Sequence, residues 1–214
     1  MRGSVRHSMI LLFAGCLFSS MGSSSLGVYP NAYIQLYNEN QSLFMKTEQC
    51  GEVQYTIGLL TAELKVIQAM QRGTLTLQEA QEWLQNKENE VSLLFQIEIP
   101  SKGYQEFLTY EADSTTYEER VVYYAFGFQK DILLIANNKL PVTIGAYHFE
   151  RTYGMSAKGS ITLQATLPKG TETLHLYFND HIYGKGQRSV AFDLKKIASL
   201  PKLKAPRKWK KQNV

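Results

Sequence analysis

The order of apolar and polar residues divides the chain into three stretches. Residues 9–14 (MILLFA) form a short apolar run, preceded by Arg2, Arg6 and His7 and followed by a Ser/Gly-rich stretch over 19–27. Next, residues 33–37 (YIQLY) and 42–46 (SLFMK) alternate apolar and polar around Asn38, Glu39 and Asn40, a pattern that predicts a β-hairpin. Ile57, Leu60, Leu64, Ile67 and Met70 then recur at helical spacing and Gly73 follows, which predicts a helix near 56–72 with a glycine stop. Thr76 with Glu79 three residues on forms a capping box, opening a second helix near 77–88 with Leu77, Ala80, Trp83 and Leu84 on one face. The two are expected to make an antiparallel helical hairpin closed by residues 73–76.

From Val91 the period changes. Apolar segments of strand length occupy 91–99, 104–110, 120–129, 132–136, 142–150, 161–167, 173–179 and 188–194. Ser101-Lys102-Gly103, Asn137-Asn138, Pro168-Lys169-Gly170 and Gly184-Lys185-Gly186 punctuate them as turns. Short strands at this spacing predict an antiparallel sandwich or barrel. In residues 121–129 (VVYYAFGFQ), Val122, Tyr124, Phe126 and Phe128 alternate with Val121, Tyr123 and Ala125. Apolar character on both faces predicts a central strand there. The expected fold class is mainly β: an antiparallel β-sandwich with an N-terminal helical hairpin, a single domain over 31–201.

The first apolar run is far shorter than the roughly 20 residues a membrane-spanning helix requires. A positive segment, a short apolar segment and small residues are the parts of a secretory signal peptide, here 1–15. Its end, Leu12-Phe13-Ala14-Gly15-Cys16, resembles the lipobox of bacterial lipoproteins, with Ala14, Gly15 and Cys16 matching the pattern. That resemblance covers the export signal alone. It implies that Cys16 is diacylated and becomes the mature N-terminus, anchoring the chain to a membrane of the bacterial cell envelope, facing the periplasm or the cell surface. Each buried methylene of such chains adds about 0.8 kcal/mol of membrane affinity. The alternative is an ordinary signal peptide cut within 21–25, which discards Cys16. Residues 16–30 read as a flexible tether.

Composition agrees with a packed exported domain, with 44% apolar and 20% charged residues. The net charge of +4 is unevenly placed. Arg2 and Arg6 lie in the signal, and Lys202, Lys204, Arg207, Lys208, Lys210 and Lys211 lie in the tail over 202–214. Without these eight, 15 basic residues face 19 acidic ones, a body of net −4. An acidic body argues against nucleic-acid binding. Lys208, Trp209, Lys210 and Lys211 are candidate membrane contacts, a basic cluster around an interfacial ring, and a solvated end is the other reading.

Catalytic chemistry is sparse. Ser156 between Gly154 and Gly159 lacks the G-x-S-x-G spacing and reads as a turn. His175, Asp180 and His181, with Tyr183 beside them, are the candidate site, since two imidazoles and a carboxylate could gather around a metal or serve acid–base work; the other reading is a strand histidine followed by an Asn-Asp turn. Neither H-E-x-x-H nor paired C-x-x-C occurs, so no metal site and no cofactor are expected. Cys50 has no disulfide partner once Cys16 is lipidated or lost, and reads as a small buried apolar group. The acidic loop with Glu111, Asp113, Glu118 and Glu119 lacks the EF-hand spacing and reads as a solvated loop. Tyr104, Tyr117, Tyr153 and Tyr183 are the aromatic residues expected near loops and open to a ligand. Three functions fit: a lipid-anchored protein that binds an envelope partner, a hydrolase of envelope or extracellular polymers, or a structural subunit of an envelope complex. The first two differ observably. An enzyme predicts a pocket where His181 meets other polar groups, and a binding module predicts an exposed apolar or aromatic patch with isolated histidines.

Overall fold

The computed structural model describes residues 27–86, 89–110, 114–184 and 186–204. The signal 1–15, Cys16, most of the tether and Lys208, Trp209, Lys210 and Lys211 lie outside these residues. The described chain is mainly β with a helical part. No helix in it is long and apolar enough to cross a membrane.

Two antiparallel sheets carry the fold. Strands β1 (Met45–Cys50), β2 (Val53–Leu60), β3 (Glu90–Glu98), β6 (Ile144–Glu150) and β7 (Gly159–Thr166) form one, in the order β1-β2-β3-β7-β6. Strands β4 (Ile132–Ala136), β5 (Leu140–Val142), β8 (Thr173–Phe178) and β9 (Arg188–Asp193) form the other, in the order β5-β4-β8-β9. The sheets share one core. Across it the Phe178 ring of β8 meets Tyr55 of β2 and Phe95 of β3, each with centroids 5.0 Å apart and edge to face, the arrangement that aromatic quadrupoles favour.

The turns predicted at 137–138 and 168–170 fall between strands, whereas the one predicted at 101–103 is followed by no strand. Asn137 and Asn138 both take positive φ between β4 and β5, and Gly170 has φ 75° ahead of β8, conformations open to Asn and Gly at little steric cost. Segments 91–99, 132–136, 161–167, 173–179 and 188–194 are strands within a residue or two, and 142–150 divides at Thr143 into β5 and β6.

Three expectations are corrected. The stretch read as a hairpin is helical: α1 (Pro30–Glu39) and the single turn α2 (Gln41–Phe44) precede β1. Pro30 sits in the first helical turn, where its missing N–H costs nothing, and Tyr37 stacks on Phe44 at 4.5 Å. The helix expected from 56 begins at Ala62, as α3 (Ala62–Arg72), with Thr61 capping it through the Leu64 N–H. Ile57 and Leu60 belong to β2 instead. Gly73 ends α3 in the left-handed conformation, φ 72°, and α4 (Leu77–Asn86) opens on the predicted box, Glu79 accepting from Thr76 N at 2.7 Å.

The third correction concerns 104–131, expected to hold two strands. Phe107–Thr109 is a 3-10 turn, and α5 (Tyr117–Val122) runs into a π-helical turn, Tyr123–Gly127, and a further 3-10 turn, Phe128–Asp131. Thr116 and Glu119 cap α5 reciprocally. Alternating apolar residues at 122, 124, 126 and 128 also satisfy i,i+4 spacing: Tyr124 and Phe128 face the core while Val122 and Phe126 are exposed, Phe126 by 76%. Phe107 fills the space above β7 so tightly that a Cβ on Gly159 would stand 2.1 Å from its ring.

A second, smaller cluster of buried residues joins Tyr33 of α1, Val66, Ile67 and Met70 of α3, Ala80 of α4 and Leu203. Its lower edge is a parallel bridge between Val28 and Leu203.

Candidate functional site

The chain turns sharply after β8, and Asp180 is the reason. It is 1% exposed, and its carboxylate accepts four hydrogen bonds. Tyr55 and Tyr124 donate their hydroxyls to Oδ2 at 2.8 and 2.6 Å, and the backbone N–H groups of Ile182 and Tyr183 donate to Oδ1 at 2.8 and 3.2 Å. Burial raises the carboxyl above the usual carboxylate range, against the pull of those four donors. The phenols of Tyr55 and Tyr124 are pushed well above their ordinary value, first by burial and then by the Asp180 charge. A carboxylate so occupied has no lone pair directed at a substrate. It ties β2, the π-helical turn and the β8–β9 connection together.

Tyr183 is buried, which corrects its expected exposure. Its hydroxyl donates to the Phe107 and Tyr110 carbonyls at 2.7 and 3.2 Å. His181 stands outside, with Nε2 3.2 Å from Asp131 Oδ1; the other oxygen of Asp131 accepts the Tyr123 hydroxyl at 2.8 Å. His175 lies on the outward face of β8, paired in register with Ile135 and Ala191 and stacked on Tyr177. His175 thus lies within β8 and His181 in the turn three residues beyond its end, with different partners, and the cluster expected from sequence does not converge. Among the described residues no group of three or more His, Cys, Asp or Glu side chains is gathered for a metal. Of the other tyrosines, Tyr104 and Tyr153 are exposed, and Tyr117 is half-buried with its hydroxyl 3.3 Å from Glu106. Cys50 is buried, with the Arg188 guanidinium 3.4 Å from its sulfur.

Two buried charged residues escaped the sequence reading. Glu106 accepts from Thr152 at 3.1 Å as well as from Tyr117, and Arg120 donates through Nε to the Leu108 carbonyl at 2.7 Å. Arg120 ties the irregular segment 104–123 to itself, through Leu108 and Thr115, and Glu106 ties it to Thr152 in the loop after β6. The Thr116–Glu119 capping box was the signal that a helix, and not a strand, carries Arg120.

Two surfaces remain open. The outward face of the four-stranded sheet presents Leu133, Ile135, Pro141, His175, Tyr177 and Ala191, with Leu133 45% exposed. An exposed apolar face of this kind marks an interaction surface more often than do scattered single residues. Separately, a cleft of about 530 Å³ lies between the ends of β2, β3 and β7 and the segment 194–203. Its walls mix apolar side chains such as Leu59, Val91, Leu167 and Ile197 with polar ones such as Thr61, Glu63, Asn89 and Lys202. At its edge the Tyr33 hydroxyl meets Thr61 Oγ1 at 2.8 Å, and Lys202 Nζ lies 3.7 Å from Glu63 Oε1.

No protein-family model matches the chain, no curated protein matches it, and no solved structure matches it.

Proposed function

We propose that the protein is an exported, lipid-anchored protein of the bacterial cell envelope whose two-sheet domain, of sandwich type, binds a partner protein and does no catalysis. The observation that carries the binding role is the outward face of β4, β8 and β9. There Leu133 is exposed and Ile135 and Tyr177 are half-buried, with His175 stacked on Tyr177. The lipobox-like stretch ending at Cys16 supports the anchor, and the engagement of Asp180 by four internal donors argues against a hydrolytic role for it.

A photo-crosslinking amino acid placed at Leu133, at Thr171 on the cleft and at Tyr104 on a remote loop tests the binding role in the producing cell. A discrete adduct from position 133, absent from 104, supports the sheet face. An adduct from 171 alone moves the binding site to the cleft. Silence at both 133 and 171 overturns the reading. Metabolic labelling with a palmitate analogue, lost in Cys16→Ala, tests the anchor.

A further inference from the structure

Tyr55, Tyr123 and Tyr124 each donate to a carboxylate at 2.8 Å or less. Tyr124 and Tyr55 share Asp180 Oδ2, at 2.6 and 2.8 Å, and Tyr123 donates to Asp131 Oδ2 at 2.8 Å. The rings of Tyr123 and Tyr124 are in edge contact, with centroids 5.1 Å apart. Tyr123 is half-buried, and its ring centroid lies 6.4 Å from that of the exposed His181. The series therefore runs from the surface at Tyr123 to Tyr124, which is wholly buried.

A phenol gives up an electron readily only when its proton leaves in the same step, because the phenol radical cation is a strong acid. A carboxylate at hydrogen-bond distance is the group that takes that proton. We propose that Tyr123 and Tyr124 form a relay that reduces one-electron oxidants of the oxygen-radical class, such as peroxyl radicals, and holds the resulting radical on Tyr124. In the first step the oxidant takes an electron from the Tyr123 ring, and the Tyr123 phenolic proton moves to Asp131 Oδ2. The peroxyl radical leaves as its anion, which water protonates to the hydroperoxide with release of hydroxide. In the second step an electron passes from the Tyr124 ring to the Tyr123 radical. The Tyr124 proton moves to Asp180 Oδ2, and Tyr123 recovers its own from Asp131. The net change is one oxidant reduced, one phenol oxidised to a neutral phenoxyl radical and one proton left on Asp180. The relay goes beyond partner binding and uses no residue of the outward sheet face.

Burial decides where the radical settles. The pair of Tyr124 and Asp180 carries one negative charge when reduced and none when oxidised, since the electron leaves and the proton stays. A charge costs more the deeper it is buried, and Asp180 is 1% exposed whereas the Asp131 side chain is 22% exposed. Oxidation relieves more of that cost at Tyr124 than at Tyr123, so the hole moves inward. Burial also raises the Asp180 carboxyl, which makes it the better proton acceptor. The Tyr124 ring is enclosed by Phe107, Phe128 and Phe149. It cannot meet a second radical there, which closes off coupling to dityrosine.

The test uses the full chain carrying Cys16→Ala at about pH 8, above the ordinary carboxylate range. Tris(bipyridine)ruthenium(III), generated by a light flash, is the oxidant, and phenoxyl absorbance and electron paramagnetic resonance are the readouts. The expected product is one tyrosyl species with a single resolved hyperfine pattern, as a ring held in one orientation gives. Tyr124→Phe should shorten the radical's lifetime and divert product to dityrosine. Asp180→Asn offers Tyr124 an N–H and no oxygen for its proton, and should lower the yield at least about tenfold, the factor that one hydrogen bond to a charged group carries. Tyr123→Phe, at the entry, should slow the appearance of the radical without altering its spectrum, so the relay is readable even if a change at Asp180 loosens the core. Tyr104→Phe, which removes an exposed ring, should leave yield and lifetime unchanged. A radical in Tyr124→Phe as long-lived as that of the parent chain, an undiminished yield in Asp180→Asn, an unchanged rate in Tyr123→Phe, or no tyrosyl signal overturns the proposal.

Discussion

Replacing Asp180 tests the internal logic of the domain. In Asp180→Ala the phenols of Tyr55 and Tyr124 and the N–H groups of Ile182 and Tyr183 all lose their acceptor inside the core. Each unsatisfied buried donor costs about 1–3 kcal/mol. The hydroxyls can rotate toward other oxygens but the two amides cannot, so the expected loss is roughly 4 kcal/mol. Asp180→Asn keeps an acceptor for the amides and offers its own N–H to the tyrosine oxygens, and should cost about 1 kcal/mol or less at low pH. The two also differ from wild type in pH dependence. Because burial raises the folded carboxyl above its unfolded value, the folded state holds the proton more tightly. The stability this lends is complete below the ordinary carboxylate range and is lost as pH rises through the folded value. Asn cannot titrate, so its stability relative to wild type should improve between about pH 4 and pH 8. Urea unfolding of the unlipidated Cys16→Ala chain at both pH values, with the slope checked for constancy, gives these differences. An Ala variant within about 1 kcal/mol of wild type, or an Asn variant with an unchanged pH profile, would refute Asp180 as the hub.

Other outcomes are as specific. Burial pushes the phenols of Tyr33, Tyr55, Tyr123, Tyr124, Tyr147 and Tyr183 above their ordinary value. The folded state therefore loses stability as pH rises past about 10, where unfolded tyrosine ionises, and phenolate absorbance should rise together with loss of secondary structure and not before it. Gly159→Ala drives a methyl into the Phe107 ring and should lower stability by about 1–3 kcal/mol, whereas Gly145→Ala, whose Cβ would meet only the Gln164 carbonyl at 3.7 Å, should stay close to wild type in a thermal melt. Thr116→Ala removes the hydroxyl from the α5 capping box and should cost about 1 kcal/mol in the same melt.

The strands of the second half were legible because their turns were written in Asn and Gly, whose positive φ values the structure requires. Period alone failed at 121–129, where four alternating apolar residues satisfy a strand and a helix equally. The Thr116–Glu119 box, of the same form as the Thr76–Glu79 box that placed α4 correctly, would have decided for the helix. The same weakness moved the start of α3. Ile57 and Leu60 continue the helical spacing by coincidence, and only Thr61 as a cap separates them from Leu64. The candidate site shared this limit. His175, Asp180 and His181 are close in sequence, but strand geometry sends Asp180 inward and leaves the histidines apart, and the two tyrosines that occupy Asp180 come from positions 55 and 124. A four-donor carboxylate assembled over that separation has no local signature.

The order of strands carries a consequence for how the chain becomes a domain. β1, β2 and β3 lie in the first sheet, β4 and β5 in the second, β6 and β7 return to the first, and β8 and β9 close the second. β3 is paired on one side by β2 and on the other by β7, residues 159–166, and β4 acquires its partner β8 only after β7 has been made. Such pairings place contacting residues far apart along the chain, the high contact order that slows folding. The first sheet, with strands from Met45 to Thr166, cannot be completed from either half of the sequence, whereas the second is made entirely of strands between Ile132 and Asp193. A chain emerging during synthesis would expose the bare edges of β3 and β4 until its last third had followed, the stage at which such edges are open to wrong pairing.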